Sequence, residues 1–169
     1  LTDRVWQCGG SVPLYVMRSE ANDEATRAFF AEHACFGYPA EDVAFFRQEM
    51  APAVGFDGKL LLSAKDSLAL SPNGNGGWYS SFLRAGLGAD AERRGVQWFN
   101  VFAVDNVLQR IADPVFVGAT IASGRASGAK YVRKAYPEER VGVLCLEDGL
   151  PSVIEYYELS EEMANLRDG

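Results

Sequence analysis

Apolar and polar positions follow one another along this chain in blocks whose periods switch between those of a strand and those of a helix. Leu14-Tyr15-Val16-Met17 is a short apolar run and predicts a buried strand. Across residues 19–33 the apolar positions fall at helical spacing, with Ala25, Ala28, Phe29 and Ala31 forming a stripe and Asn22 placed as N-cap. Gly37 and Pro39 punctuate, and residues 43–46 predict a second strand that ends at Arg47-Gln48-Glu49. Strand, helix and strand form a βαβ unit, for which parallel pairing and a right-handed crossover are expected.

Farther along, residues 59–63 and 68–71 read as a hairpin about Ala64-Lys65-Asp66-Ser67. Residues 78–87 and 89–94 read as helical. Residues 98–104 form an aromatic-rich apolar run, read as a strand that stops at Asp105-Asn106. Pro114 suits the first turn of a helix over residues 115–123. Residues 130–134, 141–146 and 153–157 predict three more strands, with Asp148-Gly149 as a hairpin turn between the last two. Ser160-Glu161-Glu162 opens a terminal helix. With no repeat, low-complexity tract or linker, the expected arrangement is a single α/β domain over residues 1–169.

Composition narrows the classes of function. The chain has 169 residues, 48% of them hydrophobic and 23% charged. That length supports a core burying roughly 70% of the unfolded surface. The net charge of −7 argues against a general nucleic-acid binder but leaves room for a mononucleotide, which needs only a few local donors. Cys8, Cys35 and Cys145 are widely spaced, which argues against a disulfide framework or a zinc site and fits reduced thiols in the cytoplasm. No apolar run approaches the roughly 18 residues of a membrane span. The N-terminal residues lack a signal-peptide layout and an initiator Met, so a piece of a longer chain is expected.

The densest chemical signal is Ser71-Pro72-Asn73-Gly74-Asn75-Gly76-Gly77, between a strand-like run and a helix-like run. Glycine-rich loops at such a junction are where α/β proteins bind nucleotides; the plainer reading is a connecting loop. The loop fits neither a dinucleotide fingerprint nor a Walker A motif. A ligand here would meet backbone groups and Asn75, which suit a base edge or a sugar hydroxyl. Asp105, closing its run, could hold Mg²⁺, which favours one or two carboxylates plus phosphate oxygens, or could cap a following helix. The Gln48 amide can pair with both a donor and an acceptor on a base edge, or be an ordinary polar residue at a strand exit. Glu155, within an apolar run, either faces solvent or accepts a hydrogen bond from a ligand hydroxyl. His33, the single histidine, stands at a helix C-terminus where it favours the dipole, and no triad is indicated. Phe29, Phe30, Phe45, Phe46, Phe99 and Phe102 are expected in the core.

Taken in order, several stretches resemble the eukaryotic-type UDP-N-acetylglucosamine pyrophosphorylases. They are Tyr15-Val16-Met17-Arg18-Ser19, Val43-Ala44-Phe45-Phe46-Arg47-Gln48, Asp57-Gly58-Lys59, the Pro72-Asn73-Gly74-Asn75-Gly76-Gly77 loop, Val104-Asp105-Asn106, Ala112-Asp113-Pro114, Gly128-Ala129-Lys130, Val141-Gly142-Val143 and Glu155-Tyr156. They cover almost the whole of residues 12–160. The resemblance implies a Rossmann-like nucleotidyltransferase fold, with a mixed, mostly parallel sheet flanked by helices and incomplete here. It implies an enzyme that makes UDP-N-acetylglucosamine and pyrophosphate from UTP and N-acetylglucosamine 1-phosphate. By the same resemblance Gln48 and Gly74 contact uracil, Asn75, Gly142 and Glu155 hold the sugar, and Asp105 binds Mg²⁺.

Three departures accompany it. Arg18 stands where the family usually has Thr, and Asn73 where it usually has Asp. The family's Gly-rich triphosphate loop, which carries its catalytic Arg, is absent; Gln7-Cys8-Gly9-Gly10-Ser11 is not that loop. No catalytic residue is therefore expected in this chain, which alone is expected to form no UDP-sugar, and the remainder of the catalytic domain is its expected partner. A non-catalytic nucleotide-sugar binding module is the alternative of a different class. A pyrophosphorylase for another UDP-sugar is a further one, against which Asn75 argues, since a His is usual at that step in the UDP-glucose enzymes.

Overall fold

A computed structural model describes Val5 and residues 9–166. Cys8 and most of the N-terminal stretch discussed above lie outside the described residues. The chain divides into two compact units, Leu1–Pro114 and Val115–Gly169.

In the first unit the parallel pairing expected of the βαβ unit is met. Strand β1 (Leu14–Arg18) and strand β2 (Val43–Arg47) pair in parallel, in register from Leu14 opposite Val43 to Arg18 opposite Arg47. Helix α1 (Asp23–Glu32) connects them. Asn22 does occupy the N-cap position, but its side chain caps nothing. Its Oδ1 accepts from the Ser19 N–H at 2.9 Å instead, closing a turn before the helix. The predicted stripe of Ala25, Ala28, Phe29 and Ala31 is exposed. The half-buried side is Asp23, Thr26 and Phe30. Both sets satisfy a helical period, and the choice is made by Phe30, whose ring meets Phe45 of β2 edge-on at 5.1 Å. His33 ends the helix as expected: its Nδ1 lies 2.9 Å from the Phe29 carbonyl and its ring stacks on Phe36.

Beyond β2 the sequence hid a pair of strands. β3 (Met50–Pro52) lies antiparallel to β6 (Leu70–Pro72). Between them β4 (Leu62–Ala64) and β5 (Ser67–Leu68) form a hairpin at the predicted turn, shorter than the strands read over residues 59–63 and 68–71, because Leu70 and Ser71 pair with β3 instead. Helices α2 (Trp78–Arg84) and α3 (Leu87–Arg93) follow, separated by Gly86 at φ 75°, a left-handed angle that suits glycine. The core is Phe46, Phe82 and Ala91, with Tyr15, Met17, Trp78, Leu87 and Val96 packed against it. Of the six phenylalanines expected inside, Phe46 is buried and Phe30 and Phe45 are half-buried, while Phe29, Phe99 and Phe102 are largely exposed.

Residues 98–104 form no strand. Phe99 packs against Trp78 and Phe82, but Val101 and Val104 face outward, and among the described residues no neighbour offers a ladder. An apolar run signals burial on both faces; it does not supply the paired edge that makes a strand.

Tyr15 ties β1 to α3, donating its hydroxyl to Asp90 Oδ2 at 2.9 Å. Burial first, and then that carboxylate, push its pKa from 10.0 to about 12. The neutral phenol is thus favoured by folding. Its contribution is full below the unfolded pKa near 10 and is lost as pH rises through about 12. Absorbance titration at 295 nm should show a late-ionising phenol that Tyr15→Phe removes. An unchanged late step in the variant would assign it elsewhere.

In the second unit helix α4 (Pro114–Ala122) carries Pro114 at its first position, as predicted. Strands β7 (Val143–Glu147) and β8 (Leu150–Ile154) form an antiparallel hairpin. Asp148 at φ 52° and Gly149 at φ 80° give the two positive angles of a type I′ turn. That tight turn sets the register, so β8 begins earlier than residue 153 and Glu155 falls just past its end. Residues 130–134 form no strand. A single-turn helix α5 (Glu161–Ala164) starts at Ser160, whose Oγ accepts from the Met163 N–H at 3.2 Å.

The α/β mixture is as predicted. Among the described residues the strands form four two-stranded sheets, one parallel and three antiparallel.

Candidate functional site

Gln48 leaves the C-terminal end of β2, the end at which parallel α/β sheets meet their ligands. Its N–H donates to the Arg18 carbonyl at 2.7 Å, which extends the parallel register by one step. Its side-chain Nε2 donates to the Gly74 carbonyl at 2.9 Å. Two residues singled out separately in the sequence are therefore in direct contact. The tie leaves Oε1 and the second N–H of the Gln48 amide for another group.

Gly74 sits at φ 66°, ψ 171°, a conformation open essentially to glycine alone. Asn75–Gly77 then make one 3₁₀ turn that runs into α2. Two further contacts hold the loop. The Asn73 N–H donates to the Glu49 carbonyl at 3.0 Å, and the Glu49 N–H donates to the buried Ser81 Oγ at 3.1 Å. The Glu49 carboxylate meets Arg84 at 2.7 Å and accepts from Ser80 Oγ at 3.3 Å. Strand exit, loop and helix start are thus one hydrogen-bonded body, with Gly74 and Asn75 on its exposed face. Glu49, Ser80 and Ser81 went unassigned in the sequence. Their signal was two adjacent serines beside the most buried phenylalanine of an apolar helix.

Gly142 and Glu155 face each other across the open end of the β7–β8 hairpin. A Cβ on Gly142 would come within 2.9 Å of Val153 Cγ1 and 3.7 Å of Glu155 Oε1. Glycine there lets the carboxylate lie against the backbone, where both could serve one ligand. The Glu155 side chain is exposed, and its N–H donates to Glu158 Oε2 at 3.2 Å. This pair belongs to the second unit, and the Gln48–Gly74–Asn75 group to the first.

Asp105 is exposed, in a turn rather than at a strand end, because residues 98–104 make no ladder. The helix it was to cap is also missing: the Val107 and Gln109 N–H groups bond back to the carbonyls of Asp105 and Asn106 in successive turns. Among the described residues no three His, Cys, Asp or Glu side chains converge as a metal cage. One open carboxylate nevertheless fits Mg²⁺ in its usual role, shared with phosphate oxygens and water. Cys35 and Cys145 are free thiols. No helix among the described residues is long and apolar enough to cross a membrane.

A family model described as UTP–glucose-1-phosphate uridylyltransferase matches residues 3–168. The chain is 50% identical over 157 residues to a human protein named UDP-N-acetylhexosamine pyrophosphorylase-like protein 1, covering 93% of this chain and 31% of that one. It is 40% identical over 169 residues to the UDP-N-acetylglucosamine pyrophosphorylase of Saccharomyces cerevisiae, covering 99% of this chain and 35% of that one. The crystal structure of the uridine diphosphate N-acetylglucosamine pyrophosphorylase from Trypanosoma brucei, in complex with an inhibitor, superimposes with a TM-score of 0.79 at 30% identity. It covers 89% of this chain and 31% of the other. The chain therefore spans about a third of the length of the curated relatives it matches.

Proposed function

Because this chain belongs to the UTP–glucose-1-phosphate uridylyltransferase family, we propose that it supplies the base and sugar walls of an enzyme forming UDP-N-acetylglucosamine and pyrophosphate from UTP and N-acetylglucosamine 1-phosphate. The observation that carries the reading is the hydrogen bond from Gln48 to Gly74. It presents an amide oxygen and a remaining N–H side by side on an exposed edge. Uracil offers the complement, an N–H donor beside a carbonyl acceptor. Asn75, next along the loop, and the Gly142–Glu155 pair would take sugar hydroxyls and the acetamido group. The parallel β1–β2 pair would be part of a larger Rossmann-like sheet within one catalytic domain, working in the cytoplasm.

The reaction needs no protein nucleophile. A phosphate oxygen of the sugar phosphate attacks the α-phosphorus of UTP and pyrophosphate leaves, so the protein contributes positioning and charge stabilisation. Mg²⁺, held by Asp105, would neutralise phosphate charge when bound. Gln48 and Gly74 would fix the base, and Glu155 would orient the sugar by accepting from a hydroxyl.

Binding is the property these residues can be tested for. Calorimetric titration of the full chain with UDP-N-acetylglucosamine should show weak binding. Gln48→Ala removes two ligand hydrogen bonds and the tie to Gly74, so affinity should fall by at least about tenfold. Equal affinities for the parent and a folded Gln48→Ala variant would remove the base-site assignment.

A further inference from the structure

Asp23, the first residue of α1, bridges the ends of two strands. Its Oδ1 pairs with Arg18, the last residue of β1, and also accepts from Arg27 Nε of its own helix at 2.7 Å. Its Oδ2 accepts from the Nε of Arg47, the last residue of β2, at 3.1 Å. Arg47 has a second partner in Glu20 Oε1 at 3.9 Å, but the Glu20 side chain is 77% exposed, so water screens that contact. The Arg18 and Asp23 side chains are only 2% and 14% exposed. Loss of Asp23 would therefore leave a buried guanidinium without its partner, a far larger disturbance than loss of a surface pair. Burial, and then the like charges of Arg27 and Arg47, already lower the Arg18 pKa.

Arg18 and Arg47 are register partners, and the next step of the ladder belongs to Gln48. Its N–H donates to the Arg18 carbonyl at 2.7 Å, and its side chain donates to the Gly74 carbonyl at 2.9 Å. Among the described residues no third strand lies beside β1 and β2. The direction in which Gln48 leaves the sheet thus depends on what keeps those two strand ends together, and Asp23 holds one with each oxygen.

We propose that Asp23 is a positioning residue: it clamps the ends of β1 and β2 through Arg18 and Arg47, and so aims the Gln48 amide at Gly74 and at the base edge. The consequence for the base rests on the reading given above; the clamp itself does not.

The test is amide hydrogen exchange of the full chain, read by NMR. Asp23→Asn removes the charge and leaves one side-chain acceptor oxygen where two are used. The Gln48 backbone N–H should then exchange at least about tenfold faster, and the Gln48 side-chain amide signal should move toward that of a free amide. The N–H of Phe82, in the core, should keep its rate. Asp23→Glu keeps the charge and both oxygens and should restore most of the protection. The Arg47 side chain is 62% exposed, so Arg47→Gln should leave the fold intact. It carries the test if Asp23→Asn fails to fold, and should speed exchange at Gln48 in the same direction. Equal acceleration at Gln48 and Phe82 would make Asp23 a general stabiliser and overturn the proposal. So would an unchanged Gln48 rate in the folded variants. Titration with UDP-N-acetylglucosamine separates the clamp from the base reading. Asp23→Asn should weaken binding in the parent and add nothing in a Gln48→Ala background; a further loss there overturns the proposal, because Asp23 would act by another route. Binding indifferent to Gln48→Ala itself fails the base reading alone, and the exchange rates then decide the clamp.

Discussion

Phe82→Ala should lower the stability of the first unit by about 3–5 kcal/mol, the range for removing a fully buried aromatic side chain. Phe82 is 1% exposed. Its ring meets Tyr15 of β1 at 4.9 Å, Phe46 of β2 at 5.9 Å, Trp78 of its own helix at 6.2 Å and Phe99 at 5.4 Å. Truncation opens a cavity between rings that cannot all close on it, so the loss exceeds the transfer energy of the atoms removed. The consequence reaches the candidate site, because neighbouring Ser81 anchors Glu49, and Glu49 holds Asn73. The measurement is urea unfolding followed by tryptophan fluorescence, since Trp78 reports from within this cluster. Phe56→Ala is the control: that side chain is fully exposed, and its loss should stay within about 0.5 kcal/mol. A fall below about 1 kcal/mol for Phe82→Ala would mean that α2 is not anchored on this ring.

What the sequence disclosed, and what it concealed, follows from which forces are local. β1 and β2 were legible because each is an apolar run of strand length, and the helical spacing between them implied parallel pairing. Asp148-Gly149 was legible because two positive φ angles demand that kind of dipeptide, and Ser160 because a cap is a one-turn interaction. Residues 98–104 and 130–134 misled because apolarity records burial, while a strand also needs a partner edge. The β3–β6 pair was hidden because Met50-Ala51-Pro52 is too short to show a period and contains a proline. In α1 two helical faces competed, and a distant contact with Phe45 decided between them.

The candidate site divides in the same way. Gln48 and Gly74 were each visible as residue types suited to a nucleotide, yet only the tertiary fold shows that one donates to the other. Arg18 stood out in sequence only as a departure from the family, and Arg18, Arg27 and Arg47 sit on three different elements, so their meeting at Asp23 was not legible. Their convergence on Asp23 follows from the β1–β2 register, which sets Arg18 beside Arg47, and from α1 crossing between the strands.

Gly74→Val should abolish UDP-sugar binding while leaving the core of the first unit folded. The cause is backbone conformation, not collision. A Cβ at Gly74 would meet nothing within 4 Å, but φ 66° with ψ 171° is a region that side chains, above all β-branched ones, rarely enter. Holding valine there costs on the order of 1–3 kcal/mol, comparable to the few hydrogen bonds that fix the loop. The loop should therefore relax to a negative φ, turning the Gly74 carbonyl away from Gln48 Nε2 and breaking the edge the base would read. Gly76→Ala separates this effect from general sensitivity of the loop. Gly76 has equally open space and no positive φ, so alanine there should leave binding unchanged and gain slightly in stability through the unfolded chain. Titration with UDP-N-acetylglucosamine, beside urea unfolding of the same variants, provides the check. Equal affinity for Gly74→Val and the parent would show that the positive φ at Gly74 is not what shapes the site. Equal losses at Gly74 and Gly76 would show that the loop acts through its flexibility, and the Gln48–Gly74 hydrogen bond would then lose its place in recognition.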